Sequence, residues 1–200
     1  MSGMTRRVSR LFLLGAVVSC AGDPVSQTVH DENQGTASSD AASGALNSQD
    51  QHGSRHVSIL DDCDPTDPSW NATGGCVLRG GAVTEAEFGV LLASPLATAV
   101  IGHPAWRNQP SYLRVRAGTS VTVTNEGGRL HTFTPVAEYG GGRVPPLNMG
   151  LTPAPECAPA TPDPHQVAAG ETLQINNLAA GNHRFQCCIH PWMRALIKVE

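Results

Sequence analysis

The C-terminal segment of this 200-residue chain contains side chains that can bind a metal ion. Cys187, His190 and Met193 follow one another at intervals of three residues, so a tight loop at the end of a strand can turn all three toward one point. Upstream, the alternating segment 121–125 predicts a strand, and His131 follows six residues after its end. A thiol, two imidazoles and a thioether can therefore meet from two separate elements.

This pattern resembles the cupredoxin family of small blue-copper proteins, with the short ligand loop of its amicyanin and plastocyanin branch. The resemblance covers residues 96–200 and is carried by the run from His190 to Arg194 and by the spacing between Asn125 and His131. It implies an all-β fold, a Greek-key β-sandwich that holds one copper ion per chain and passes single electrons between transient protein partners. The copper ligands that it implies are His131, Cys187, His190 and Met193.

The chemistry of these donors supports copper independently of the resemblance. Two imidazoles and a thiolate in one plane, with a weak axial thioether, suit an ion that cycles between Cu(I) and Cu(II). Zinc prefers a tighter tetrahedron and rarely takes methionine. Four protein ligands leave no open position for a small-molecule substrate, and no catalytic set of Ser, His and Asp accompanies them. We therefore expect that the protein is not an enzyme.

The resemblance also implies roles for residues next to the ligands. Asn125 would join the two ligand-bearing loops and donate a hydrogen bond near the sulfur of Cys187; the alternative is an asparagine that caps the turn before Gly127. Pro191 has no N–H, so it cannot donate to the thiolate, and we expect a less stabilised sulfur than a donor there would give.

A surface for electron transfer is expected at the ligand loop. The resemblance implies that His190 reaches the surface through an apolar patch and that Trp192 helps to dock partners, although Trp192 could equally pack in the core. His103 has no partner at metal-binding spacing, and His183 lies four residues before Cys187; both are expected to be structural.

The N-terminus reads as a processing signal. Three arginines precede the apolar run 11–18, which is too short to span a bilayer, so the chain is predicted to be exported. The sequence Val-Val-Ser-Cys ending at Cys20 resembles a bacterial lipobox, which implies that Cys20 carries lipid and becomes the mature N-terminus. The alternative is an ordinary cleavage site. We predict a periplasmic or cell-surface protein whose one membrane attachment is that lipid.

Six cysteines in an exported chain are expected to be bonded or ligated. Successive strand side chains face opposite ways, so Cys187 faces the core while Cys188 faces away and is available to pair. Four cysteines remain besides Cys187 and the lipid-bearing Cys20, and three connectivities are open. We favour Cys63 with Cys76 and Cys157 with Cys188. The alternative is that Cys157 or Cys188 is a free buried thiol.

Four regions are predicted along the chain: a signal peptide over 1–20, a polar tether over 21–57, an extension over 58–95, and the copper domain over 96–200. In the extension, Thr84 begins a capping box that predicts a short helix over 85–92, beyond the loop between Cys63 and Cys76. Seven or eight strands are expected in the sandwich, with a long loop over 137–168. The readable strands are 98–101, 111–116, 120–125, 130–136, 172–176, 183–187 and 195–199.

Composition narrows the function classes. Lys198 is the single lysine and the net charge is -4, so no basic surface for nucleic acid is expected. The leading hypothesis is an extracytoplasmic carrier of single electrons. Copper sequestration or delivery by the same ligands is the alternative, and a metal-free structural sandwich is the third.

Overall fold

The computed structural model describes residues 55–94, 101–158 and 162–200. Its elements are mostly strands, with one short α-helix, α1 (Glu85–Gly89), and 3-10 helices at Pro68–Thr73, Val90–Ala93, Pro145–Leu147 and Pro155–Cys157. The strands are β1 (His56–Leu60), β2 (Arg107–Gln109), β3 (Tyr112–Val115), β4 (Val121–Asn125), β5 (His131–Thr132), β6 (Thr134–Val136), β7 (Gln166–Val167), β8 (Thr172–Ile175), β9 (Gly181–Gln186) and β10 (Arg194–Val199). Among these residues, no helix has the length and apolar character needed to cross a membrane.

Two four-stranded sheets form the body of the fold. One has the strand order β2-β1-β4-β8 and the other β3-β10-β9-β6, while β5 and β7 form a separate two-stranded ladder. Both large sheets are mixed, because β1 runs parallel to β4 and β3 runs parallel to β10. The predicted all-β sandwich is confirmed.

The core lies between the sheets and follows the alternation of the strands. In β4, Val121 and Val123 are fully buried, while Thr122 and Thr124, which alternate with them, are partly exposed. Phe133 and Phe185 stack with their ring centroids 4.5 Å apart, and both are buried. Burying one such side chain contributes about 1.5–3 kcal/mol. The strands that border the candidate ligands are therefore anchored in buried apolar residues.

The structure differs from the prediction at β1. The predicted tether ended at residue 57 and the sandwich began at 96, yet β1 pairs with both β2 and β4 inside the first sheet. Val57 and Ile59 are fully buried, which is the period-two pattern of a strand with one face in the core. β1 is only five residues long and follows a polar segment, so the alternation of its buried and exposed residues was not recognised from the sequence.

Most other predicted elements are present with shifted ends. The strand expected over 130–136 is divided at Phe133 into β5 and β6. The predicted helix begins at the Thr84 capping box and continues beyond α1 as a 3-10 helix. Residues 98–100 of the first predicted strand lie outside the described residues, as do Cys20, the predicted signal peptide and nearly all of the tether.

The structure contains both favoured disulfides, Cys63 with Cys76 and Cys157 with Cys188. Cys188 lies outside the main core but is buried, because the loop carrying Cys157 covers it. An ion pair of 2.7 Å between Arg143 and Asp163 holds another part of that loop. The long loop over 137–168 is thus tied to the sandwich close to the candidate ligands.

Candidate metal centre

The candidate ligands come from two places in the fold. His131 is the first residue of β5, and Cys187 directly follows β9. His190 and Met193 lie on the turn between β9 and β10, which is closed by backbone hydrogen bonds from Cys187 N to Met193 O (3.0 Å) and from Met193 N to His190 O (2.9 Å). Local sequence therefore brings three of the side chains together, and sheet packing brings the fourth.

Three donor atoms form a compact buried cluster. Sγ of Cys187 lies 3.7 Å from Nδ1 of His131 and 3.7 Å from Nδ1 of His190. Within the described part of the chain, this is the group of His, Cys, Asp or Glu side chains that could hold a metal ion, with all ligand atoms within 4.8 Å of one another. Bond lengths of ~2.3 Å to sulfur and ~2.0 Å to nitrogen, with donors 120° apart, give a separation of ~3.7 Å. The two measured distances thus match those expected if one first-row ion were bound by all three side chains.

Met193 is buried on the same turn, with 1% of its surface exposed. Its backbone closes the turn around Cys187. A thioether buried at this point of the loop is consistent with the predicted axial ligand, which stays a prediction.

The sulfur of Cys187 is approached by two backbone amides. Thr132 N and His190 N each lie 3.4 Å from it and donate weak hydrogen bonds. Pro191 supplies none, as the sequence requires, and the two amides are the backbone donors to the sulfur. A sulfur less stabilised than a donor at position 191 would give stays a prediction. Thr132 also accepts a hydrogen bond from Cys188 N through its hydroxyl (2.8 Å), which fixes β5 against the end of β9.

Asn125 makes hydrogen bonds that differ from the one that the resemblance implies. Its Nδ2 donates to the carbonyls of Arg129 (2.7 Å) and Val167 (2.9 Å), and its Oδ1 accepts from Gly127 N (3.0 Å). Both amide hydrogens are used in these bonds, so none is left for the sulfur of Cys187. Asn125 closes the turn that leads to His131 and joins it to β7, so these three bonds match the turn-capping alternative and do not include a link to the loop of Cys187.

Electrostatics within the cluster favour a thiolate. Burial raises the pKa of Cys187, but hydrogen bonds and charge from His131 and His190 outweigh this effect and lower its pKa well below the ordinary value. Burial is the main cause that lowers the pKa of His190. For His131, burial lowers the pKa, but its contacts with Asp61 and Cys187 raise it to about 9.

Asp61 was not identified from the sequence as a residue of the site. Its Oδ2 lies 2.9 Å from Nε2 of His131, and both side chains are completely buried. Burial raises the pKa of Asp61, but hydrogen bonds from His131 and from two backbone amides bring the net pKa below the ordinary value. The signal that could have found it is strand parity, since Val57, Ile59 and Asp61 fall on one buried face.

His190 does not reach the surface, contrary to the expectation. Only 4% of it is exposed, because Phe88 of α1 packs edge-on against its ring at 6.1 Å. Trp106 and Trp192 add rings at 6.4 Å and 5.5 Å. Trp192 is half-buried and donates from Nε1 to the carbonyl of Trp106 (3.2 Å), so it packs in the fold as well as lying near a ligand.

The other two histidines that the sequence singled out lie outside the cluster. Nδ1 of His103 accepts a hydrogen bond from Ala105 N (3.2 Å), and burial lowers the pKa of this ring. Nε2 of His183 lies 2.7 Å from the carbonyl of Ala179. Both contacts are consistent with the structural roles expected for them.

Comparison with known proteins gives likeness to solved structures alone: no protein-family model and no curated protein matches the chain. A purple cupredoxin from Nitrosopumilus maritimus is 20% identical over 49% of this chain and 86% of that chain, with a TM-score of 0.34. Amicyanin from Paracoccus versutus is 17% identical over 51% of this chain and 80% of its own, with a TM-score of 0.32. A reduced amicyanin mutant is 22% identical over 45% and 70%, with a TM-score of 0.30.

All three are cupredoxins, the family that the ligand pattern of this chain resembles. These TM-scores are low, so the description of the fold depends on the strand order of this chain, and the description of the candidate centre depends on its donor distances.

Proposed function

We propose that the protein binds one copper ion through His131, Cys187, His190 and Met193 and carries single electrons between protein partners outside the cytoplasm. The observation that carries the proposal is the buried triangle in which one sulfur lies 3.7 Å from two imidazole nitrogens. Copper bound there would supply a one-electron couple. The donor set is complete without a substrate, which supports a carrier rather than an enzyme.

The protein scaffold keeps these donors in place. His131 enters from β5, while Cys187 and His190 enter from the turn after β9, and all three are buried against the core. Because the two elements are joined by the hydrogen bond from Cys188 N to Thr132, the donors cannot separate without breaking the packing. Such rigidity favours electron transfer, since a site that changes little in geometry needs little reorganisation when its charge changes.

Copper sequestration or delivery remains the second candidate, and burial of the donors speaks against it. Handing an ion to another protein requires incoming ligands to reach it, yet at most 4% of His131, Cys187 or His190 is exposed. An electron can cross a thin layer of packed side chains without such access. The half-buried ring of Trp192, 5.5 Å from that of His190, is our candidate for the point where the electron leaves.

We further propose an envelope location with lipid at Cys20. The two disulfides support an oxidising compartment, because such bonds persist outside the cytoplasm. Replacing Cys20 by Ala in the full chain should move the protein from the membrane fraction to the soluble fraction. Retention in the membrane fraction would contradict the lipid attachment without affecting the copper proposal.

Addition of Cu(II) to the purified metal-free protein tests the function. We expect an intense blue or green absorption band that saturates at one ion per chain, a reversible one-electron couple and fast electron self-exchange. Transfer of copper to an apo-acceptor with negligible electron exchange would favour delivery, and absence of binding would favour the metal-free sandwich. His190→Ala should lose the band, whereas His183→Ala, a histidine outside the cluster, should keep it.

A further inference from the structure

The segment before α1 carries a buried carboxylate that faces the candidate centre from behind. Asp61 follows directly after β1, and its side chain is completely buried. Its Oδ2 lies 2.9 Å from Nε2 of His131, on the opposite side of the ring from Nδ1, which faces Cys187. The carboxylate and the thiolate therefore contact the two ends of one imidazole.

The remaining contacts of Asp61 are all with backbone donors. Oδ1 accepts from Gly128 N (2.9 Å) and Cys63 N (3.3 Å), and Oδ2 accepts from Arg129 N (3.0 Å). These bonds hold the carboxylate in one orientation and require it to be an acceptor. A buried carboxylate is costly unless its charge is compensated, so four convergent donors indicate a group placed for a purpose.

No direct ion pair with the nearby arginine explains this burial. The guanidinium of Arg129 donates to the carbonyls of Trp70, Thr73 and Gly75, and it lies 4.5 Å from the centroid of the Trp70 ring. The ionisable side chain that contacts the Asp61 carboxylate directly is His131. The charge of the carboxylate therefore acts on the imidazole and, through it, on whatever the ring binds.

An ionised carboxylate cannot donate a hydrogen bond, so the shared hydrogen must belong to Nε2 of His131. With that hydrogen on Nε2, Nδ1 is the ring nitrogen that would bind a metal ion in the cluster once it carries no proton. A carboxylate behind a ligating histidine also makes the ring a stronger donor, and a stronger donor favours the more highly charged ion.

We propose that Asp61 is a positioning residue of the copper centre, which fixes the ring and tautomer of His131 and lowers the reduction potential by stabilising Cu(II) over Cu(I). This inference rests on the proposed function. It also gives the extension a role, because Asp61 lies in it and Cys63, which is bonded to Cys76, supplies one of the backbone donors that orient the carboxylate.

The first test is the midpoint potential of copper-loaded Asp61→Asn. The asparagine side chain is neutral. If its oxygen accepts the hydrogen bond from His131, its NH2 group faces the backbone N–H groups that now donate to Oδ1; if it turns the other way, its NH2 group faces His131. The contact with His131 is therefore weakened in both orientations. We expect the ratio of Cu(II) to Cu(I) affinity to fall about tenfold, which raises the potential by ~59 mV for a one-electron couple. Asp62→Asn removes the same charge from the next, partly exposed residue and should leave the potential nearly unchanged.

An unchanged or lowered potential in Asp61→Asn would overturn the inference while leaving the electron carrier intact, provided the wild-type protein shows its blue or green band. If Asp61→Asn does not fold, the wild type loaded with Zn(II) decides the matter by nitrogen-15 NMR of the ring. A slowly exchanging hydrogen on Nε2 of His131, with Nδ1 as the metal-bound nitrogen, supports the inference. A bare Nε2, or a hydrogen that exchanges freely with water, contradicts it even if the protein takes up no copper.

Discussion

The adjacent residues Cys187 and Cys188 should respond in opposite ways to substitution. Cys187 is the free thiol of the described chain and points into the cluster, whereas Cys188 forms a disulfide with Cys157. Removing that disulfide by Cys157→Ala together with Cys188→Ala should reduce stability and leave the copper absorption band. Cys187→Ser should remove the band with a much smaller effect on stability.

The expected loss of stability follows from the length of the loop that the disulfide closes. Cys157 and Cys188 are separated by 31 residues in sequence. For a loop of that length, the chain-entropy relation gives ~3.7 kcal/mol at 25 °C, to be compared with about 1 kcal/mol for an average point substitution such as Cys187→Ser. The double alanine variant avoids leaving a reactive thiol that could exchange with the other disulfide.

Denaturant unfolding of the metal-free proteins measures the stability loss, and absorption after addition of Cu(II) measures the site. Loss of the band in a folded double variant would contradict the assignment of Cys187 as the ligand and point to Cys188 instead. Retention of the band in Cys187→Ser would contradict it equally. A loss below ~1 kcal/mol in the double variant would mean that the loop is held chiefly by its other contacts.

Three further outcomes are expected. Met193→Gln should keep copper but lower the potential, because a harder axial oxygen favours Cu(II); voltammetry that shows no change would remove Met193 from the site. Gly102→Ala should destabilise the fold more than Gly118→Ala in thermal unfolding, since both have positive φ (63° and 79°) but a Cβ at Gly102 alone would overlap the ring of Trp192. Burial raises the pKa of Asp163, but its hydrogen bonds and its arginine partner outweigh this and lower it. The stability that the ionised Asp163 contributes is therefore complete above the ordinary pKa of ~3.9, and it is lost as the pH falls through the lower pKa of the folded protein. Asp163→Asn should thus reduce the free energy of unfolding at pH 6 and change it little at the acid limit. Denaturant unfolding measured across this pH range tests the prediction.

Local features of the chain could be predicted from sequence because they depend on neighbours within a few residues. The intervals between Cys187, His190 and Met193 require only one turn, and the opposite orientation of Cys188 requires only the pleat of one strand. The capping box at Thr84 is likewise a matter of one helical turn, and the structure has both of its hydrogen bonds. Alternation also sufficed for the all-β class, because the longer strands β3, β4 and β10 bury every second residue.

Contacts between distant segments could not be predicted in this way. Asp61 and His131 are 70 residues apart, and their contact depends on β1 entering the sheet beside β4. Phe88 covers His190 only because α1 packs across the ligand turn, which made the expectation of an exposed histidine wrong. Composition and spacing describe which groups are present and which face they take along one element. Which elements lie against each other is determined by packing of the whole core, and that packing places a carboxylate behind one candidate ligand and an aromatic ring over another.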